Sequence, residues 1–165
     1  MSADPLVPAG EEVVVAETGR GRLQVEARTA SGALLIDEPA SVGGLGSGPN
    51  PYDLLSAALG ACTSMTLRLY AERKGWPLER AQVSVRHHRA SLDARDIFEL
   101  TIALEGPLDE AQKARLMEIA EHCPVHRTLD RGSEVKATLS GFVAAEPSLA
   151  APPEHMRDAE AASAE

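Results

Sequence analysis

Apolar and polar residues alternate with a period of two in several stretches of this chain, the mark of half-buried strands. In Arg22–Arg28, Leu23, Val25 and Ala27 fall on one face and Arg22, Gln24, Glu26 and Arg28 on the other. Glu12–Glu17 precedes it with the run Val13-Val14-Val15, and Ala33–Glu38 follows a Ser31-Gly32 turn. The link Thr18-Gly19-Arg20-Gly21 reads as a hairpin turn with an arginine at its tip. Two further strands are predicted over Gln82–Arg89 (Val83, Val85 and His87 against Ser84, Arg86 and His88) and Ile97–Leu104 (Phe98, Leu100, Ile102 and Leu104 against Glu99 and Thr101). A last one is predicted over Glu134–Val143, with Val135, Ala137 and Leu139 inward.

Two segments carry the period of a helix. Asn50 can cap the first, Pro51 suits its first turn, Gly75 can end it near Lys74, and Pro77 forbids continuation. Leu55, Ala58, Leu59, Cys62, Met65, Thr66 and Leu69 form its predicted buried stripe. Such a helix is about 36 Å long, and its first half is apolar on most sides, which predicts a central helix. The second helix starts after Gly106-Pro107, with Asp109 and Glu110 in its first turn, and buries Leu116, Ile119, Ala120 and Cys123. Pro124 places Cys123 at or near the helix end. The glycines of Pro39–Asn50 are too irregular for a dinucleotide loop and predict a flexible one. The order of strands and helices predicts an α+β domain, with mainly antiparallel sheets, over residues 12–143.

Composition narrows this reading. At 165 residues the chain fits one domain, and with 44% hydrophobic but 3% aromatic residues its core must be aliphatic and alanine-rich. The net charge of −9 argues against nucleic acid and against an anionic membrane surface. No window is apolar for the roughly 18 residues of a membrane span, and Met1–Glu11 lacks a secretory pattern, so a cytoplasmic protein is expected. Residues 1–11 are expected to be flexible, and residues 144–165, rich in Ala, Glu, Pro and Ser, a disordered tail.

The candidate chemistry lies in two cysteines, both at apolar helical positions. Free cysteine is often a small buried hydrophobe, and in a reducing cytosol two cysteines read equally as packing or as redox chemistry. The local strings change that balance. Asn50-Pro51-Tyr52-Asp53-Leu54-Leu55, leading through small residues to Ala61-Cys62-Thr63, resembles the signature of the OsmC/Ohr family. Cys123-Pro124-Val125-His126-Arg127-Thr128-Leu129 resembles the second cysteine motif of one OsmC-like branch.

The resemblance implies an intertwined homodimer with the long helix at its centre and active sites at the subunit interface. It further implies a cysteine-based peroxidase that reduces organic hydroperoxides as part of an oxidative-stress defence. Cys62 would be the peroxidatic nucleophile and Cys123 the resolving thiol, with a dithiol, possibly lipoyl, as reductant and no cofactor. Only a thiolate is a competent nucleophile, and a second thiol traps the sulfenic acid before over-oxidation. An arginine of the first hairpin, Arg20 or alternatively Arg22, would hold the Cys62 thiol below its ordinary pKa against burial. The family's carboxylate stands ten residues before the cysteine, where this chain has Tyr52; its acid is Asp53, nine before. On a regular helix that separation is about 180°, so either the first turn is irregular or Asp53 is only a favourable charge at a helix N-terminus.

His122, Cys123 and His126 form H-C-x-x-H, but zinc wants four convergent ligands, and no metal is expected. The competing reading is a dimeric protein that binds an apolar small molecule at the subunit interface without turnover.

Overall fold

The computed structural model describes residues 12–141 and 154–164. The described residues divide into two compact units, one formed by residues 12–51, 137–141 and 154, the other by residues 52–136 and 155–164. The predicted α+β class with antiparallel sheets and one long helix is observed.

The first unit holds an antiparallel meander of β1 (Val14–Glu17), β2 (Val25–Thr29) and β3 (Gly32–Ile36), in which Ala27 faces Val15 on one side and Leu34 on the other. One face was predicted to bury Leu23 and expose Gln24, yet Gln24 is buried. The reason is a chain of hydrogen bonds. Thr18 Oγ1 donates to Gln24 Oε1 at 2.6 Å, Gln24 Nε2 to Ser47 Oγ at 2.6 Å, and Ser47 Oγ to Asp37 Oδ2 at 2.7 Å. Asp37 also accepts the backbone N–H groups of Glu38, Leu45 and Ser47. The Ser47 hydroxyl, with these N–H groups, holds its carboxyl below the usual carboxylate range, although burial opposes this. The glycine-rich segment is thus wound around a buried carboxylate, with a 3₁₀ turn at Ala40–Val42. Gly44 is required there, because a Cβ would stand 1.8 Å from the Glu38 carbonyl oxygen.

The second unit contains α1 (Pro51–Lys74), the hairpin β4 (Arg80–His88) and β5 (Ile97–Glu105), α2 (Glu110–Ala120) and α3 (Pro124–Arg131). The predicted ends of α1 hold, with Gly75 at φ 65° closing it. Along β4 and β5 the predicted alternation holds residue by residue, with Val85 opposite Leu100 and His87 opposite Phe98. Asp109 and Gln112 form a reciprocal capping box at the start of α2. The core joins Leu67, Tyr70 and Ala71 of α1 to Leu78, Leu108, Leu116, Ile119 and Ala120, with Ile102 and Leu104 of β5 against it.

Four readings need correction. The buried stripe of α1 runs through Leu59, Cys62, Thr63, Thr66, Leu67, Tyr70 and Ala71, leaving Leu55, Ala58 and Met65 exposed. Polar Thr63 and Thr66 tolerate burial because each finds an acceptor, the Cys123 sulfur and the Cys62 carbonyl. Cys123 lies just past the end of α2, near where it was expected, but it is not on the buried stripe of that helix: it caps α3, a helix absent from the sequence reading because a proline marks a helix start as readily as an end. Over the described part of the predicted last strand, residues 134–141 pair with nothing, and Val135 and Leu139 are 89% and 99% exposed. Its pattern is that of a strand, but neither sheet offers a ladder to it. Within the predicted disordered tail, Glu154–Ala162 forms α4 with Ala159 and Ala162 buried, in keeping with the helix propensity of alanine. Residues 1–11 and the tail before 154 lie outside the described residues.

Leu116 is fully buried where α2 meets the rest of this core. Leu116→Ala should cost about 2–5 kcal/mol by lost transfer energy and cavity formation. Urea unfolding checks this, and a loss within about 0.5 kcal/mol, typical of a surface site, would contradict the packing described.

Candidate active site

The depth of α1 on the hairpin is set by Gly60: a Cβ there would meet Val85 Cγ2 at 3.3 Å and the Val83 carbonyl oxygen at 3.7 Å. This close approach carries Cys62, two residues on, into a buried cluster with Leu59 and Cys123, against which Val85, Phe98, Leu100, Val125 and Leu129 pack. The two sulfurs are reduced and within hydrogen-bonding reach of each other.

Cys123 is the N-cap of α3, at φ −61° and ψ 140°, with Pro124 in the first turn. Its sulfur accepts the backbone N–H of His126 at 3.3 Å and the Thr63 hydroxyl at 3.4 Å. Cys62 receives a backbone N–H from Val125, in the same first turn of α3. Thr66, on the other side, spends its hydroxyl proton on the Cys62 carbonyl at 2.8 Å.

These contacts split the pair. The hydrogen bond from Cys62, then the Thr63 hydroxyl and the His126 N–H, lower the Cys123 thiol to about 6 although burial opposes them. The same bond to Cys123, together with burial, pushes Cys62 up. The Val125 N–H and the Thr66 hydroxyl act against this rise.

Beside the cluster lies a cavity of about 480 Å³, within the usual size of small-molecule sites. Leu59, Phe98, Leu100 and Leu129 belong to both its wall and the thiol cluster, and Leu55 and Ile97 extend the apolar lining. Tyr52 and Phe98 of this wall both touch the His87 ring, at 4.4 and 4.8 Å between ring centroids, and His87 Nε2 meets Asp96 Oδ1 of the wall at 2.8 Å. At the rim Arg95 donates to the carbonyl of Asp130 at 2.8 Å and to its carboxylate at 3.2 Å.

Of the residues predicted for the site, Cys62 and Cys123 are brought together. Arg20 lies exposed in the β1–β2 turn of the first unit, its backbone N–H on Thr18 Oγ1, while the Arg22 guanidinium lies over Gly43. Asp53 is exposed in the first turn of α1, which is helical from Pro51 onward, so it stands about 180° from Cys62. Thr63, Tyr52, His87, Arg95 and Asp96 were not singled out for the site. Thr63 directly after a cysteine was the legible signal among them. Among the described residues, no group of three or more His, Cys, Asp or Glu converges as a metal site, and no helix is long and apolar enough to cross a membrane.

The sequence model of the OsmC-like protein family matches residues 44–138, and the chain belongs to that family. No curated protein matches it. Among solved structures it is similar to an osmotic stress induced and detoxification response protein from Psychrobacter arcticus, at 20% identity and TM-score 0.62, covering 78% of this chain and 91% of the other. An OsmC-like protein from Mycoplasma pneumoniae gives 18% identity and TM-score 0.62, over 75% and 89% of the chains. The organic hydroperoxide resistance protein OhrB of Bacillus subtilis gives 21% and 0.53, over 74% and 91%. At these identities the likeness carries the fold.

An acid with a lowered pKa is anionic above it, so the pair should hold one thiolate above about pH 6 and lose it as the pH falls through that value. The raised Cys62 should keep its proton across the neutral range. Ultraviolet thiolate absorbance should therefore show one thiolate per chain at neutral pH; zero or two would refute this electrostatic picture.

Proposed function

We propose that this protein is a thiol-dependent reductase of organic hydroperoxides. The observation that carries the reading is the pair of reduced thiols packed together beside an apolar cavity. The cavity suits the organic part of a hydroperoxide, and structural neighbours that carry the organic hydroperoxide resistance name agree with the assignment.

In the proposed cycle Cys62 sulfur attacks the hydroperoxide and the O–O bond breaks. The alcohol leaves, and Cys62 becomes a sulfenic acid. Cys123 sulfur then attacks Cys62, water leaves, and a disulfide forms that an external dithiol, possibly lipoyl, reduces. Arg20 is the proposed cation at Cys62. Arg22 is the alternative for this part. Asp53 is proposed as a first-turn charge that favours α1.

A homodimer is part of the proposal. Ala57, Ala58, Ala61 and Met65 form an exposed apolar strip on α1, and the strand-patterned segment with Val135 and Leu139 lacks a partner. A second chain would cover both. The cavity also favours a second reading, in which the dimer binds an apolar molecule without turnover; the assay below separates the two.

Wild-type protein should consume cumene hydroperoxide with a dithiol, and Cys62→Ser should abolish consumption. Cys123→Ser should allow one turnover and then over-oxidise. Arg20→Ala should slow the peroxide step more than disulfide reduction. One equivalent of hydroperoxide should give an intrachain Cys62–Cys123 disulfide by peptide mapping. If both thiols stay free and no hydroperoxide is consumed, the ligand-binding reading replaces this one. Light scattering at micromolar concentration should give a dimer, with an interface above about 2,000 Å²; a monomer would refute the assembly.

A further inference from the structure

We propose that the cavity beside the thiols takes an uncharged hydroperoxide with an aromatic ring at the end remote from the peroxide, and that His87 sets this preference by holding the two aromatic side chains of the wall. The inference rests on the peroxidase reading and names the substrate class of that same site.

The direction of the cavity comes from α1. Tyr52, Leu55, Leu59 and Cys62 recur at helical spacing, which puts them in one row on that helix. Along the row exposure falls from 39% at Tyr52 and 42% at Leu55 to 2% at Leu59 and 7% at Cys62. The first three line the cavity, so its open end lies at Tyr52 and its floor at the thiols. The helix rises about 15 Å between those ends. A substrate whose peroxide meets Cys62 therefore carries its other end, several carbon atoms away, to Tyr52.

The open end is aromatic. Phe, Tyr and Trp make up only 3% of the chain, yet Tyr52 and Phe98 both stand on this wall. Both rest on the His87 ring, Tyr52 nearly parallel to it at 15° and Phe98 tilted at 37°. His87 stands outside the lining and is itself held by Asp96 Oδ1, 2.8 Å from its Nε2. A ring entering here meets two oriented aromatic side chains, which favour it over an alkyl chain of equal length.

The charges of the wall disfavour a carboxylate. They are Arg95, Asp96 and Asp130, one positive and two negative. Arg95 is committed to Asp130, through its carbonyl at 2.8 Å and its carboxylate at 3.2 Å. Asp96 is committed to His87, with Arg89 at 3.8 Å. A substrate carboxylate would have to displace Asp130 from Arg95 beside a second carboxylate. His126, also on the wall, belongs to the thiol end, since its backbone N–H meets the Cys123 sulfur at 3.3 Å.

The experiment is a calorimetric titration with the alcohols that reduction would release, which needs no turnover. Phenylbutanol should bind more tightly than octanol by roughly two- to tenfold. Hydroxyoctanoic acid should bind more weakly than octanol, by about tenfold or more at low salt. His87→Ala should abolish the preference for phenylbutanol and keep the binding of octanol. His87→Phe, which keeps a ring against Tyr52 and Phe98, should restore the preference. A merely structural His87 would change the melting temperature and leave the ratio of the two alcohols in place, which would overturn its part. Asp130→Asn, at an exposed position, should raise the affinity for hydroxyoctanoic acid and leave that for octanol. Equal binding of phenylbutanol and octanol, or tighter binding of hydroxyoctanoic acid than of octanol, would overturn the assignment. The hydroperoxides of the same three skeletons should follow the same order in kcat/KM, with the difference in KM. Alcohols bound in the expected order without consumption of any hydroperoxide would uphold the selectivity of the cavity and refute the peroxidase reading.

Discussion

The break between α2 and α3 is the constraint on which the rest of the second unit depends. Pro124 cannot donate a hydrogen bond and its φ is fixed, so α2 cannot run through it and a new helix begins there. The N-cap is then Cys123, where serine, threonine, aspartate or asparagine usually stands. The unsatisfied N–H groups of the first turn must find acceptors in a dry environment. Sulfur is what the core offers, with the Val125 N–H toward Cys62 and the His126 N–H toward Cys123. A helix start that would be costly to bury in a hydrocarbon core becomes an anion-stabilising corner. Without the break, Cys123 would be one more small apolar residue on the inner face of α2.

The opposing element had to come close enough to complete this corner. Gly60 lets α1 approach β4, and the burial of Thr63 and Thr66 follows from the same rotation. The two threonines lie three residues apart on one face yet serve opposite ends of the problem. Thr66 closes on its own helix through the Cys62 carbonyl, and Thr63 reaches across to Cys123. The polar donors therefore cluster on the thiols, while the cavity wall shared with them, from Leu59 to Leu129, remains apolar. An organic hydroperoxide has the same two-sided character, with a carbon skeleton and one reactive polar end.

Legibility followed the strength of the local signal. The faces of β4 and β5 and both ends of α1 were readable, because alternation, Asn50-Pro51 and Gly75 each have a direct steric or hydrogen-bonding meaning. The rotation of α1 was not, since alanines, threonines and a glycine make several of its faces nearly equal in apolarity. The deciding contact is with a strand more than twenty residues away. Gln24 was misread for a related reason: period-two alternation assumes that polar means outward, and a buried carboxylate at Asp37 overrides it. Helix α3 was hidden because a proline marks the start of one helix as readily as the end of another. The segment around Val135 and Leu139 has the pattern of a strand, but among the described residues neither sheet pairs with it.

The thiols show where pattern and geometry divide the work. Motif order names Cys62 as nucleophile and Cys123 as resolver, but order along the chain does not determine where a shared proton resides. That is decided by the number and direction of donors at each sulfur, which depend on a helix start, a threonine from another helix and the depth of burial. A low pKa is no measure of nucleophilic power on its own, because intrinsic nucleophilicity falls as the thiolate becomes more stable.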